Sequence, residues 1–181
     1  MGILPLRYGM MLAGLSLMTA CSGPIETRIN TAMPAAPEKG ATYFLSAPEG
    51  KVAPEQEAAT ALLEQRLTAQ GLSRTMDSET AQYVVSLGIA DRPADVGYVS
   101  GDNALASPKK KRALQRCADR EYRVSLAIQK VADGADAYQG SASEYHCKAK
   151  FADVMPLLLD AALSGFNGQT GARVDKRSGL D

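Results

Sequence analysis

The sequence predicts an α+β fold: a mixed four-stranded sheet in the order β-α-β-β-β-α, with two helices packed on one face. Three observations predict it. Segments 82–90 and 121–131 alternate apolar and polar residues; segments 54–70 and 153–166 repeat apolar residues at helical spacing; and Asp133-Gly134 marks a tight turn between 121–131 and a further strand at 137–146.

The chain opens with a different kind of segment. Arg7 is the only charge before an apolar run from Met10 to Met18, which is too short for the ~20 residues a membrane-spanning helix needs and fits the core of an export signal. The run ends in Leu17-Met18-Thr19-Ala20-Cys21-Ser22. Small residues directly before a cysteine resemble the lipobox of bacterial lipoprotein precursors, with Met18 where leucine is usual. The resemblance implies that residues 1–20 are a signal peptide, that cleavage follows Ala20, and that Cys21 carries a diacylglyceryl group and an N-acyl chain such as palmitate. More than one acyl chain makes such an anchor lasting. The alternative is an ordinary secretory signal that leaves Cys21 an accidental thiol. Ser22, in place of aspartate, implies sorting to the periplasmic face of the outer membrane.

Residues 21–40 carry Pro24, Pro34 and Pro37 without apolar periodicity and read as a flexible tether. A single domain is expected over 41–175, with 176–181 a frayed tail. Thr42-Tyr43-Phe44-Leu45 supplies the first strand. The helix at 54–70 has Pro54 in its first turn, Glu55 and Glu57 at its positive end, Gly71 at its stop, and Ala59, Leu62, Leu63 and Leu67 on one side. Strand two, 82–90, then runs parallel to strand one after a right-handed crossover. Strands three and four form the hairpin. The last helix, 153–166, has Asp153 as its cap, Pro156 in its first turn and a broad stripe of Val154, Met155, Leu158, Leu159, Ala162, Leu163 and Phe166.

Several short segments, taken in this order, resemble envelope lipoproteins of the domain-of-unknown-function 4136 family over roughly 41–174. They are Thr42-Tyr43, Leu67 with Gly71, Ala81-Gln82-Tyr83-Val84-Val85, Tyr138-Gln139-Gly140-Ser141-Ala142 and Phe166-Asn167-Gly168. Asn167 departs from the proline typical there, and no tryptophan precedes Gly140. The resemblance implies an exported α+β domain without an assigned activity and brings no catalytic residue with it.

Lys plus Arg and Asp plus Glu both number 20, and removal of the signal leaves 19 against 20. Bulk nucleic-acid binding, which draws on a basic surplus, is therefore not expected. There is one histidine and no tryptophan. Of the three cysteines, Cys117 precedes strand three and Cys147 follows strand four, so the hairpin brings both to its open end. A disulfide is the expected outcome, against two free thiols. Counting about the turn sets Cys117 nearer 150 than 147, so the pairing requires a bulge or shifted register. His146 beside Cys147 suggests a thiol nucleophile or a metal site, but neighbours on a strand point to opposite faces. No catalytic residue and no metal ligand is expected.

Segment 94–116 reads as a long loop ending in Lys109-Lys110-Lys111-Arg112. This run is either a solvated loop, the reading the composition favours, or a contact for anionic lipid, lipopolysaccharide phosphate or peptidoglycan. The expectation is a non-enzymatic accessory lipoprotein of the cell envelope with no cofactor beyond the lipid on Cys21. Its partners would be the membrane through its anchor and an envelope protein, a lipid or the wall. The alternative is a lipid- or small-ligand-binding lipoprotein, which a deep apolar cavity of several hundred Å³ would favour. A hydrolase would need a nucleophile, base and orienting group within reach of one another.

Overall fold

A computed structural model describes residues 24–47, 50, 52–100, 103–106, 108–109 and 117–179. The chain runs β1 (Ile25–Ala32), β2 (Thr42–Ser46), α1 (Pro54–Ala69), β3 (Ser73–Thr75), β4 (Tyr83–Pro93), β5 (Tyr98–Ser100), β6 (Asn103–Ala106), β7 (Arg120–Lys130), β8 (Asp136–His146), α2 (Phe151–Ala162), a 3-10 turn (Ser164–Asn167) and β9 (Gly171–Arg177). The class is α+β as expected, but the main sheet has seven strands rather than four, in the order β3-β2-β4-β7-β8-β1-β9.

The expected centre of the sheet is present. β2 and β4 pair in parallel across α1, and β7 pairs antiparallel with both β4 and β8. Tyr83 and Val85 of β4, and Tyr122, Val124, Leu126 and Ile128 of β7, turn to the helical face and are buried there. The register of the hairpin slips by one residue between Ile128 and Gln129, opposite Tyr138 and Asp136. Continued past Arg120 and His146, this register sets Cys117 opposite Ala149, so the slip does not align the two cysteines, and they are joined beyond the paired residues instead.

The additional strands correct three expectations. The segment read as a tether contains β1, which lies between β8 and β9 and pairs antiparallel with both. Its inward residues alternate as Ile25, Thr27, Ile29 and Thr31, all buried, and two threonines among four positions dilute the apolar signal of a strand. Ile25–Ala32 therefore belongs to the sheet, although the domain was expected from 41. The tail read as frayed includes the end of β9, a mostly exposed edge strand held by its ladder to β1. The loop at 94–116 holds the β5–β6 hairpin.

Both helices cover the same face of the sheet. Helix α2 starts at Phe151, two residues before the expected cap; Asp153 lies in its first turn and makes no capping bond, and Pro156 falls inside the helix. It buries Phe151, Val154, Met155, Leu158, Leu159 and Ala162. At the far end of α2, a Cβ on Gly140 of β8 would stand 2.0 Å from the Ala162 carbonyl oxygen, and one on Gly165 would stand 2.7 Å from the Tyr138 ring. Tyr138 Oη donates to Ala162 O at 2.5 Å and accepts from the Gly165 N–H at 3.2 Å. Only residues without side chains fit where helix and strand approach this closely.

Candidate functional site

The strand ends at Ile25, Pro93, Arg120, His146 and Arg177 form one end of the sheet, and the chemically richest residues gather there. Cys117 and Cys147 are joined by a disulfide with Cα atoms 5.6 Å apart, a spacing within the usual range for a cystine. Below it, alternation along β8 turns Glu144 and His146 inward, and both are buried. His146 Nε2 lies 2.8 Å from Glu144 Oε2, Thr27 Oγ1 donates to Glu144 Oε1 at 2.5 Å, and Arg177 closes the group through Nε at 3.1 Å and Nη2. Burial by itself would raise the Glu144 pKa, but hydrogen bonds from His146, Arg177 and Thr27 outweigh it and hold the carboxyl down to about 2. An ionised carboxylate only accepts, so the His146 proton facing it is on Nε2.

The other face of the His146 ring is against Tyr122, stacked at 5.4 Å and 19°, while Tyr122 meets Phe151 edge-on and donates to the Ala149 carbonyl at 2.7 Å. Imidazole and carboxylate are thus enclosed between sheet and α2, and the one nearby thiol pair is a cystine. The arrangement ties β1, β8 and β9 together; it does not present a nucleophile to a substrate. Glu144, Thr27 and Arg177 were not singled out from sequence. The signal that finds them is alternation: Tyr138, Gly140, Ala142, Glu144 and His146 share a face, so a carboxylate is carried into the core.

On the opposite face of the sheet at this end, Glu121 is buried and paired with Arg92 and, at 2.7 Å, Arg123. Lys109, first of the basic run, folds back onto the domain. Its Nζ is 2.5 Å from Asp119 and 4.5 Å from the Tyr145 ring centroid, and Arg28 approaches the same ring at 4.9 Å. Lys110, Lys111, Arg112 and Cys21 lie outside the described residues. Among the described residues no three His, Cys, Asp or Glu side chains gather as a metal site, and no helix is long and apolar enough to cross a membrane.

A second feature lies at the other edge of the helical face. Helix α1 buries only Ala59, Leu63 and Leu67. Its flank, with Gln56, Thr60, Ala61 and Glu64, stands apart from Leu45 and Leu87 and leaves an open cleft of about 360 Å³. Gln56 Nε2 spans it to donate to Leu87 O at 3.3 Å, and an Arg74–Glu64 ion pair lines its polar side. Helix α2 buries six side chains against the sheet; the cleft lies to one side, along α1.

No protein-family model and no curated relative matches the chain. Among solved structures it is similar to a PDZ domain protein from Parabacteroides distasonis, at 10% identity and a TM-score of 0.53 over 83% of this chain; the chain spans 39% of that protein. The PelC dodecamer from Paraburkholderia phytofirmans is 14% identical over 77% of this chain and 96% of its own, at a TM-score of 0.49. A minor lipoprotein from Acinetobacter baumannii is 11% identical over 74% of this chain and 98% of its own, at 0.37. The first likeness concerns the fold alone, and the other two support no conclusion.

Proposed function

We propose that the chain is a lipoprotein of the bacterial cell envelope, held through diacylglycerol and an N-acyl chain on Cys21 at the periplasmic face of the outer membrane. Its α+β domain serves there as a non-enzymatic interaction module of the domain-of-unknown-function 4136 type. The observation that carries this reading is the cystine. It consumes Cys117 and Cys147, a bond that persists in an oxidising compartment, and of three cysteines it leaves over the one at the lipobox. Metabolic labelling with a palmitate analogue tests it. Label is expected on the wild-type chain and absent from Cys21→Ser, and a mature N-terminus that begins with unmodified Cys21 would overturn it. Photo-crosslinking from the exposed sheet face then identifies the envelope partner.

The cleft beside α1 favours a second reading, a small apolar ligand such as a single acyl chain held between Leu45, Leu87 and Ala61. Its volume falls within the range of ligand pockets. Native mass spectrometry of the protein mixed with a fatty acid should show a one-to-one adduct that Ala61→Phe abolishes. An adduct that survives this substitution places the ligand elsewhere.

A further inference from the structure

The distance between Cys21 and the first strand limits how the domain can sit. β1 begins at Ile25 and pairs from its first residue, Ile25 opposite Arg177. Four residues of extended chain span at most about 14 Å, so an acylated Cys21 cannot lift this end of the sheet far from the headgroups. The strand ends fix which surface that is: Ile25, Pro93, Arg120, His146 and Arg177 stand together at one end. The turn at Gly134 and the C-terminal ends of both helices stand at the other.

We propose that the cystine end of the domain is a membrane-docking surface that rests on the phospholipid headgroups of the leaflet holding the anchor, with Lys148 and Lys150 against lipid phosphates. This rests on the lipidation of Cys21 proposed above. Lys148 and Lys150 follow the cystine directly, are exposed, and have no ion-pair partner among the described residues. Among the described residues the other basic side chains near this end are already paired: Lys109 with Asp119, Arg120 with Asp91, Arg92 with Glu121, Lys176 with Glu26 and Arg177 with Glu144. The exposed acids of the region are Asp95 and Asp153, with Glu26 and Asp91, which are paired with Lys176 and Arg120, and the lysines flank α2 at its N-terminal end, where an anion is also favoured. Val96, 40% exposed, adds an apolar contact at headgroup depth. A basic pair beside a lipid anchor gains from the negative potential of an anionic leaflet. The two-residue pair is modest by itself; the short anchor is what holds it at the surface.

The absence of tryptophan permits a direct test. Val96 and Val131 are exposed to a similar degree, 40% and 42%, at opposite ends of the sheet. Val96→Trp and Val131→Trp in the full lipidated protein are reconstituted in phosphatidylethanolamine–phosphatidylglycerol vesicles carrying a headgroup spin-labelled phospholipid. The tryptophan at 96 is expected to be quenched several-fold more than that at 131, and Lys148→Glu with Lys150→Glu to reduce the difference. Equal quenching, or stronger quenching at 131, overturns the proposal; Asp95→Trp repeats the reading should Val96→Trp fail to fold. The mass of the N-terminal peptide separates the two claims. An unlipidated Cys21 overturns both, whereas a lipidated chain without the quenching difference overturns the docking surface alone.

Discussion

Helices α1 and α2 lie on the same face of one sheet and run in the same direction, yet they are packed very differently. Helix α2 buries six of its side chains and presses its last turn so closely on β8 that Gly140 has no room for a methyl group. Helix α1 buries three and leaves a cleft along its flank. Between them an exposed bidentate pair, Arg66 Nε and Nη2 to Asp160 at 2.7 and 3.1 Å, holds the helices side by side. Apolar density on one side makes a rigid scaffold, and its shortage on the other leaves space at the sheet's edge.

The largest effects should fall on the α2 side. Leu158→Ala removes a wholly buried side chain and should cost about 4 kcal/mol by the usual scale for core truncations, measured by urea unfolding. Gly140→Ala places its Cβ against the backbone of α2 rather than against a flexible side chain, and should cost about 3 kcal/mol as overpacking. A value within ~0.5 kcal/mol of wild type would show that α2 can slide and that the contrast between the helices is shallow.

Acid should weaken the same half of the sheet. The Glu144 carboxyl ionises at about 2 in the folded protein against an ordinary 4.5, so its contribution, roughly 3 kcal/mol, is complete above the ordinary value and is lost as pH falls from there toward 2. Thermal melts between pH 6 and pH 2 should show this decline, and Glu144→Gln should flatten it at the expense of stability at neutral pH. The smallest effect belongs to α1. Ala61→Phe, which fills the cleft from an exposed position, should leave stability within ~0.5 kcal/mol of wild type by the same urea assay. If it costs as much as Gly140→Ala, the cleft is not space the fold leaves free.

The contrast also explains what the sequence could reveal. Elements with apolar periodicity were legible: the alternation Tyr83, Val85, Leu87 and Ile89, its counterpart on β7, the parallel crossover through α1, the hairpin at Asp133-Gly134 and the stripe of α2. β1 and β9 were not, because threonines alternate with isoleucines on the inward side of β1 and the corresponding positions of β9 are polar. Thr27 faces Glu144, Thr31 Oγ1 donates to the Gln169 carbonyl at 2.7 Å, and on β9 Arg173 and Arg177 bond to Ser164 and Glu144. Such strands are specified by partners far along the chain and by ladder bonds, neither of which leaves a local pattern. The cystine was legible because a hairpin makes two distant cysteines neighbours; the register slip at Ile128 is not the realignment the count called for, since the two cysteines join beyond the last paired residues. The Glu144 group was missed because a lone carboxylate on a strand otherwise reads as solvent-facing.

The position of β1 sets the order in which the domain can be completed. Its strand precedes both of its partners along the chain: Thr27 waits 117 residues for its hydrogen-bond partner Glu144, and the opposite flank of β1 waits longer still, for Arg177. Contacts so remote along the chain slow folding, and here they leave this side of the sheet open until β8 and β9 have formed. On the export route proposed above that delay is useful: β1 precedes both of its partner strands along the chain and has nothing to pair with until they follow.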